Sequence, residues 1–277
     1  DVDLLNKATF HFEKLLSEHY HNSDNSENFD NYLTEIGSIQ TEMNFTADFY
    51  LNSSSIEILD EMEKNEGQET AETGFHNRHF ESEFIWRLST SPIILSHVQS
   101  LIGSNVLLLG THFFCKYPSD LRGEKFIAWH QDVTYWGLEP PLAITAWLAI
   151  DDVDRENGCM RVIPKSHKQG ILQHGKSDIK GNLLSINQEV SPNSFRGQQP
   201  VDLTLKAGQM SIHHGLLIHG SNPNASNRRR CGLAIRFIPS KVRQIKRNSL
   251  GKFYKAILIS GEDHYHHFPQ QQVPFLK

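Results

Sequence analysis

His130 and Asp132 stand two residues apart in FIAWHQDVTYW, a segment that the sequence predicts to be a β-strand. Alternate side chains of a strand point to the same face, so both could reach one metal ion. A histidine followed two residues later by an aspartate is expected about once by chance in a chain with this many histidines. The pair alone therefore predicts a metal site only weakly.

Further ligand candidates lie downstream, where His219 ends an apolar run and Arg230 follows. Two imidazoles and one carboxylate on one side of an iron(II) ion leave positions open for a bidentate 2-oxo acid and for dioxygen. The guanidinium of Arg230 could then bind the remote carboxylate of 2-oxoglutarate through two parallel hydrogen bonds. Arg228 and Arg229 adjoin Arg230, and Arg236 is a further candidate, so a shift in register would change which arginine binds.

Three motifs resemble the phytanoyl-CoA dioxygenase family of iron(II) and 2-oxoglutarate enzymes. They are AWHQD at 128–132, TAWLAIDDVDRENGCMRVIPKSHKQG at 145–170, and HHGLLIHGSNPN at 213–224 with the arginine that follows. The resemblance covers about 110–240. It implies a double-stranded β-helix, the cupin-like jelly roll, with iron ligands at His130, Asp132 and His219. It also implies that Arg230 is the co-substrate arginine.

The same resemblance places Ser221 and Trp147 beside 2-oxoglutarate, and Thr145 shares the strand face of Trp147. Simpler explanations exist for all three, since Ser221 could bond its own backbone in a turn and the other two could pack in the core. Relatives that halogenate replace the carboxylate ligand by a small residue. This chain keeps Asp132, which argues against halogenation.

Five further side chains are predicted to face the substrate: Tyr135, Trp136, Lys116, Met160 and Arg161. Core packing would also explain the two aromatic residues, and a solvated strand end would explain the lysine. His213 and His214 are not predicted as ligands. The C-terminal tract EDHYHHF is read as a surface tail.

Short apolar or alternating segments separated by Pro, Gly, Asn and Asp dominate the second half of the chain. This pattern predicts an α+β, mainly β chain whose core is a double-sheet jelly roll. Ser91 before Pro92, the apolar positions up to Leu101, and Gly103 predict a helix over 92–102. We expect one domain over 1–277: a helical N-terminal part at 1–105 packed on one sheet, a jelly-roll core at 106–240 with a lid-like insertion at about 176–199, and a C-terminal extension at 241–277.

The net charge of −5 shows no excess of basic residues and argues against a nucleic-acid partner. Three cysteines, Cys115, Cys159 and Cys231, lie far apart without a CxxC pair, which argues against a disulfide framework and favours a reducing compartment. No stretch approaches the roughly 20 apolar residues of a membrane span. We expect a cytoplasmic monomer or homodimer, although the chain does not begin with Met and a targeting segment could precede it.

Such a site would use iron(II), 2-oxoglutarate and dioxygen to abstract hydrogen from carbon in a small organic molecule. Hydroxylation is the expected outcome. Oxidative cyclisation or desaturation in specialised metabolism uses the same chemistry, and the sequence does not separate these outcomes. A non-catalytic jelly-roll binding module is a different alternative. Asp132, Ser221 and Arg230 together argue against it, because passive binding needs no carboxylate ligand combined with a 2-oxoglutarate clamp.

Overall fold

The computed structural model describes residues 38–41, 76–80, 82–118, 124–184, 187–247 and 252–275. Two α-helices precede the main run of strands, α1 (Glu83–Ser89) and α2 (Pro92–Ile102). The predicted helix over 92–102 is confirmed. It stops at Gly103, whose φ of +88° favours glycine. No helix in the described ranges is long and apolar enough to cross a membrane.

The strands are short, apart from the two long central ones. They are β1 (Ser38–Thr41), β2 (Val106–Lys116), β3 (Ile127–His130), β4 (Leu138–Glu139), β5 (Ile144–Ala149), β6 (Met160–Val162), β7 (His174–Lys176), β8 (Gln188–Val190), β9 (Val201–Leu203), β10 (Met210–His214), β11 (His219–Ser221), β12 (Arg230–Pro239), β13 (Arg243–Gln244) and β14 (Ile257–Ser260). Short 3₁₀ helices lie at Arg78–Phe80, Asp132–Tyr135, Ser166–Gln169 and Pro192–Phe195.

Two antiparallel sheets form the body of the molecule. The major sheet has the strand order β1-β10-β5-β12-β2-β14, and the minor sheet has the order β3-β11-β6-β9. Trp147 and Ala234 of the major sheet share a buried cluster with Met160 and Leu203 of the minor sheet, so the two sheets pack face to face. This arrangement confirms the predicted mainly β jelly roll.

The helices cover the other face of the major sheet. Ile94, Val98 and Leu101 of α2 are buried with Ile235 of β12 and Ile144 of β5. Each fully buried aliphatic side chain contributes roughly 1.5 to 3 kcal/mol. The helical layer therefore fixes β5 and β12, the two strands that carry much of the site.

Parts of the predicted architecture differ in detail. Residues 38–41 form a strand paired with β10, although they fall in the part predicted to be helical. The predicted single strand QMSIHHGLLIHG is divided into β10 and β11 by a turn at 215–218. The predicted helix near residues 4–16 and the acidic stretch at 60–74 lie outside the described residues.

The segment predicted as a lid contains β8 and the 3₁₀ helix Pro192–Phe195, and β8 pairs with β7. The Phe195 ring packs on Trp129 of β3 with centroids 5.3 Å apart. The side-chain amide of Gln188 donates to the Thr134 hydroxyl at 2.9 Å. The segment thus packs beside the strand that carries His130, while its role as a lid stays a prediction.

Cys115 of β2 and Cys231 of β12 lie directly opposite each other and form a disulfide, with Cα atoms 4.1 Å apart. The expectation that the cysteines stay reduced is therefore wrong for this pair. The two residues are 116 positions apart, so only the register of β2 against β12 brings them together. Cys159 is a buried free thiol.

Candidate metal centre and co-substrate pocket

His130 and His219 are cross-strand neighbours in the minor sheet, at the end of β3 and the start of β11. Asp132 follows β3 as the first residue of a 3₁₀ helix. The prediction that Asp132 lies within a strand is therefore wrong. Gln131 nevertheless keeps an extended backbone, with φ −121° and ψ 129°, so His130 and Asp132 still point to the same side.

Gln131 anchors this connection and was not recognised from the sequence. Its fully buried side-chain amide donates to the carbonyls of Gly170 and Leu216 at 2.8 and 2.7 Å. Its amide oxygen accepts from the backbone N–H of Leu172 at 2.8 Å. Three hydrogen bonds, two to the loop at 170–172 and one to the turn at 215–218, hold the connection between the two ligand candidates.

The three candidate ligands converge, and each offers a donor atom within 4.8 Å of the others. The carboxylate Oδ1 of Asp132 lies 3.4 Å from Nε2 of His130 and 3.8 Å from Nε2 of His219. All three side chains are buried. The described part of the chain holds this one group of metal-ligating residues.

Neighbouring groups orient these side chains as a metal site requires. Nδ1 of His130 faces the carbonyl of Ala128 at 2.9 Å, and Nδ1 of His219 faces that of Leu217 at 3.0 Å. Each carbonyl accepts an N–H from Nδ1, which leaves both Nε2 lone pairs free for a metal. The hydroxyl of Thr145 donates to Oδ2 of Asp132 at 2.8 Å, so Thr145 supports the carboxylate. The residues present fit a divalent iron.

The electrostatics agree with this assignment. Burial alone would raise the pKa of Asp132, but interactions with His130 and His213 hold that pKa well below its usual range. Burial lowers the pKa of His219 well below 6.5, and the neighbouring His130 lowers it further. An ionised carboxylate beside a neutral imidazole is the protonation state that metal binding needs.

Arg230 lies in the same cavity as the ligands and is 2% exposed. Its Nε and Nη1 have no hydrogen-bond partner among the described residues. Its guanidinium stacks 4.8 Å from the centre of the Trp147 ring. Burial lowers the pKa of Arg230 to about 10, so the side chain remains charged at neutral pH. Leaving a buried charge unpaired is costly, so this cation is suited to an anionic ligand.

Gly232 makes room for this stacking. It pairs with Ala149, one strand across, and a Cβ at this position would overlap the six-membered ring of Trp147. The Trp147 side chain is 5% exposed and has little space to move. Sequence reasoning missed Gly232, although its position two residues after Arg230 on one strand face could have indicated it.

We expect Gly232→Ala to displace Trp147, to destabilise the fold by about 1 to 3 kcal/mol and to weaken 2-oxoglutarate binding. Calorimetric binding and thermal unfolding measure the two effects. Gly175→Ala is the matched control, because a Cβ at Gly175 meets nothing within 4 Å. Wild-type affinity for 2-oxoglutarate in Gly232→Ala would show that Trp147 does not shape the pocket.

Ser221 lines the cavity, and Lys116 lies behind it. The fully buried amino group of Lys116 donates to the Ser221 hydroxyl at 2.6 Å, and also to the carbonyl of Asn222. Because the Ser221 oxygen accepts in this hydrogen bond, its own O–H is free to turn toward the cavity. Burial, and next the charge of Arg230, hold the pKa of Lys116 well below its usual value.

We expect Lys116→Met to weaken 2-oxoglutarate binding about tenfold, because Ser221 loses the donor that orients it. The double variant Lys116→Met with Ser221→Ala should bind scarcely more weakly than Ser221→Ala alone. Calorimetric titration tests this. Lys206→Met is the control, since Lys206 is 76% exposed and pairs with Asp152. Additive losses in the double variant would show that Lys116 acts independently of Ser221.

Only some of the other side chains predicted to face the substrate line the cavity. The cavity lies between the sheets and is lined by Phe114, Ile127, His130, Asp132, Thr145, Trp147, Met160, His213, His219, Gly220, Ser221, Arg230, Ala234 and Arg236. Met160 is among these residues. Tyr135 and Trp136 border the site from outside this lining, with the Tyr135 ring edge-on to His130 at 6.3 Å. Arg161 points to Asp202 at 2.9 Å instead.

His213 lines the cavity but was passed over as a ligand on sequence grounds. Its Nε2 lies 3.8 Å from Oδ2 of Asp132, and neither ring nitrogen has a hydrogen-bond partner among the described residues. His214 instead accepts from the backbone N–H of Leu216 at 2.9 Å. The alternation of side chains along β10 separates the two histidines, a signal that the sequence already contained.

Two facing antiparallel sheets that enclose a two-histidine, one-carboxylate cluster define the class of cupin-like proteins with a non-haem metal site. The family model of phytanoyl-CoA dioxygenase (PhyH) matches residues 28–232. This chain belongs to the phytanoyl-CoA dioxygenase family.

Relatives and solved structures agree with this membership. Peroxisomal phytanoyl-CoA dioxygenase of Bos taurus is 32% identical over 161 residues, which cover 57% of this chain and 47% of the relative. The chain therefore spans about half the length of these curated relatives. L-proline trans-4-hydroxylase of Streptomyces griseoviridis is 28% identical over 184 residues, covering 61% of this chain and 68% of the relative. The non-heme monooxygenase ThoJ superposes with a TM-score of 0.70 at 25% identity, covering 89% of this chain and 88% of the other.

Proposed function

We propose that this chain is a non-haem iron(II) oxygenase that uses 2-oxoglutarate and dioxygen to hydroxylate a small organic molecule. The observation that carries the proposal is one cavity that contains both the ligand cluster and the unpaired guanidinium of Arg230. A passive binding module would not need these features together. The similarity to a proline hydroxylase and to phytanoyl-CoA dioxygenases supports the same chemistry.

The assignment gives each side chain a defined task. His130, Asp132 and His219 would hold iron(II), and Thr145 keeps the Asp132 carboxylate in place. Arg230 would bind the distal carboxylate of 2-oxoglutarate, with the Ser221 hydroxyl as a second donor. When bound, iron(II) with 2-oxoglutarate and dioxygen supplies the oxidant that removes hydrogen from a substrate carbon.

The apolar walls of the cavity have a separate role. Phe114, Ile127, Trp147 and Met160 line it beside the ligand cluster. These side chains exclude water and position the substrate carbon, which favours reaction with the bound substrate over unproductive consumption of the oxidant. We also propose a cytoplasmic monomer or homodimer with no nucleic-acid partner. The modest net charge of −5 supports the last of these points, because it shows no excess of basic residues.

Oxygen-dependent release of succinate tests the proposed reaction. Purified protein with iron(II) and 2-oxoglutarate should release succinate faster when members of a metabolite panel are added. A product that gains one oxygen atom supports hydroxylation, whereas a product that loses two hydrogen atoms would show cyclisation or desaturation. The proposal would be contradicted if no succinate formed with any member of the panel and none formed in the absence of added metabolites.

A further inference from the structure

A second arginine lines the cavity on the same strand as Arg230. Side chains alternate between the two faces of a strand, so residues 230, 232, 234 and 236 share one face of β12. The pairing of β12 with β2 is regular as far as Arg236. At about 3.3 Å per residue, the Cα atoms of Arg230 and Arg236 are about 20 Å apart. The two side chains therefore enter one cavity from well-separated positions along β12, and their guanidiniums contact different aromatic rings.

Arg236 stands level with the ligand cluster. It is the cross-strand neighbour of Thr145, which is in turn the neighbour of His213 on β10. Thr145 bonds the Asp132 carboxylate, so this row of side chains crosses the cavity beside the metal position. Arg230 instead pairs with Lys116, at the far end of β2.

Arg236 has no hydrogen-bonded or ion-paired carboxylate among the described residues, and its Nε has no hydrogen-bond partner. Its guanidinium lies 5.6 Å from the centre of the Trp136 ring and 5.8 Å from that of Phe114. The two aromatic rings can restrict the cation without neutralising it.

Further nitrogen atoms without partners surround Arg236. His112 lies on the same sheet face, opposite Ala234, and its buried Nε2 has no partner. Neither ring nitrogen of the buried His213 has a hydrogen-bond partner among the described residues, and its Nε2 lies 3.8 Å from Oδ2 of Asp132. Asp132 is the one acidic residue in the cavity lining, and in the proposed complex it would coordinate the metal. This side of the cavity therefore offers a guanidinium and histidine rings that can donate hydrogen bonds, and no carboxylate besides Asp132.

The formal charges of the proposed complex show which charged side chain in the cavity lacks a counter-charge. The proposed complex balances iron(II) and Arg230 against the Asp132 carboxylate and the two carboxylates of 2-oxoglutarate, three positive charges against three negative ones. Arg236 is then the one permanent charge in the cavity lining without a counter-charge.

We propose that Arg236 binds an anionic group of the substrate, so that the enzyme acts on organic carboxylates or on molecules with an equivalent oxyanion. His112 and His213 are placed to add hydrogen bonds, and Trp136 and Phe114 hold the guanidinium in position. This inference rests on the proposed function, because it assumes that Arg230 and the ligand cluster take the co-substrate and the metal.

The test uses zinc-substituted protein saturated with 2-oxoglutarate, which binds substrate without turnover. The probes are phenylacetate, 3-phenylpropanoate, octanoate and the monophosphate ester of 2-phenylethanol, each acid compared with its primary amide and the ester with 2-phenylethanol. Calorimetry gives the dissociation constants for wild type and Arg236→Gln, with Arg243→Gln as control. Arg243 is 60% exposed and pairs with Glu139.

We expect at least one anionic probe to bind about tenfold or more tightly than its neutral counterpart, and Arg236→Gln to remove that preference while Arg243→Gln retains it. The carboxylate and phosphate probes show which oxyanion is preferred. Equal binding of anions and neutral counterparts, or no binding of any probe, would overturn the inference. So would a preference that survives in Arg236→Gln. Failure to load zinc and 2-oxoglutarate would instead overturn the proposed function and this inference with it.

Discussion

Asp132→Ala should release succinate at least about a hundredfold more slowly than wild type, because the variant loses the one carboxylate of the ligand cluster. Even groups that only orient metal ligands contribute 10- to 100-fold to affinity or activity, so a ligand itself should contribute more. Initial rates with saturating iron(II) and 2-oxoglutarate measure the effect, and an assay of bound metal accompanies them.

The control for this prediction is Asp152→Ala, which removes a half-exposed carboxylate paired with Lys206. That variant should keep wild-type rates. Metal-free Asp132→Ala should unfold within about 1 to 2 kcal/mol of the metal-free parent, because it removes a desolvated charge together with its bond to Thr145. Succinate formation at the wild-type rate in Asp132→Ala would contradict the ligand assignment.

Arg230→Gln should raise the dissociation constant of 2-oxoglutarate by about 30- to 4000-fold, equivalent to about 2 to 5 kcal/mol for a buried charge pair that loses one partner. The variant should also lose selectivity for 2-oxoglutarate over 2-oxopentanoate, which has the same chain length without the distal carboxylate. Calorimetric titration of zinc-substituted protein gives both constants.

The neighbouring Arg229 supplies the matched control. Its guanidinium forms two hydrogen bonds of 3.0 Å with the Asp151 carboxylate, outside the cavity lining. Arg229→Gln should therefore bind 2-oxoglutarate as wild type does. If Arg230→Gln kept full affinity for 2-oxoglutarate and Arg229→Gln or Arg236→Gln lost it, Arg230 would not be the arginine that binds the co-substrate.

The predicted strand pattern and the helix over 92–102 correspond well to the structure, because both depend on local periodicity and on Pro and Gly at element ends. The convergence of the candidate ligands could also be predicted, since an extended Gln131 preserves the alternation between His130 and Asp132 even where the strand has ended.

Features that depend on strand register could not be predicted in the same way. The Cys115–Cys231 disulfide follows from the pairing of β2 with β12, which spacing along the chain does not contain. Lys116 could be taken for a solvated strand end, but the same pairing places it opposite Arg230 and buries it fully. Arg236 was a candidate only for the co-substrate arginine, and the pairing of β12 with β5 places it beside Thr145 instead.

The cavity also shows why the identity of the substrate is harder to infer than the chemistry. Most candidate ligand and co-substrate residues, such as His130, His219 and Arg230, lie on regular strands, whose periodicity fixes their direction. The extended Gln131 continues that alternation to Asp132. Tyr135 and Trp136 lie in and after a 3₁₀ helix, where the alternation of a strand no longer applies. Their positions around the site therefore depend on tertiary packing.

Anaerobic addition of iron(II) and then 2-oxoglutarate to the purified protein tests whether His130, Asp132 and His219 form an iron site. One iron per chain should bind, and 2-oxoglutarate should then produce a weak visible charge-transfer band. The band should be absent in Asp132→Ala and in His219→Ala. If no band formed in the wild-type protein, or if it persisted in both variants, His130, Asp132 and His219 would not form the proposed iron site.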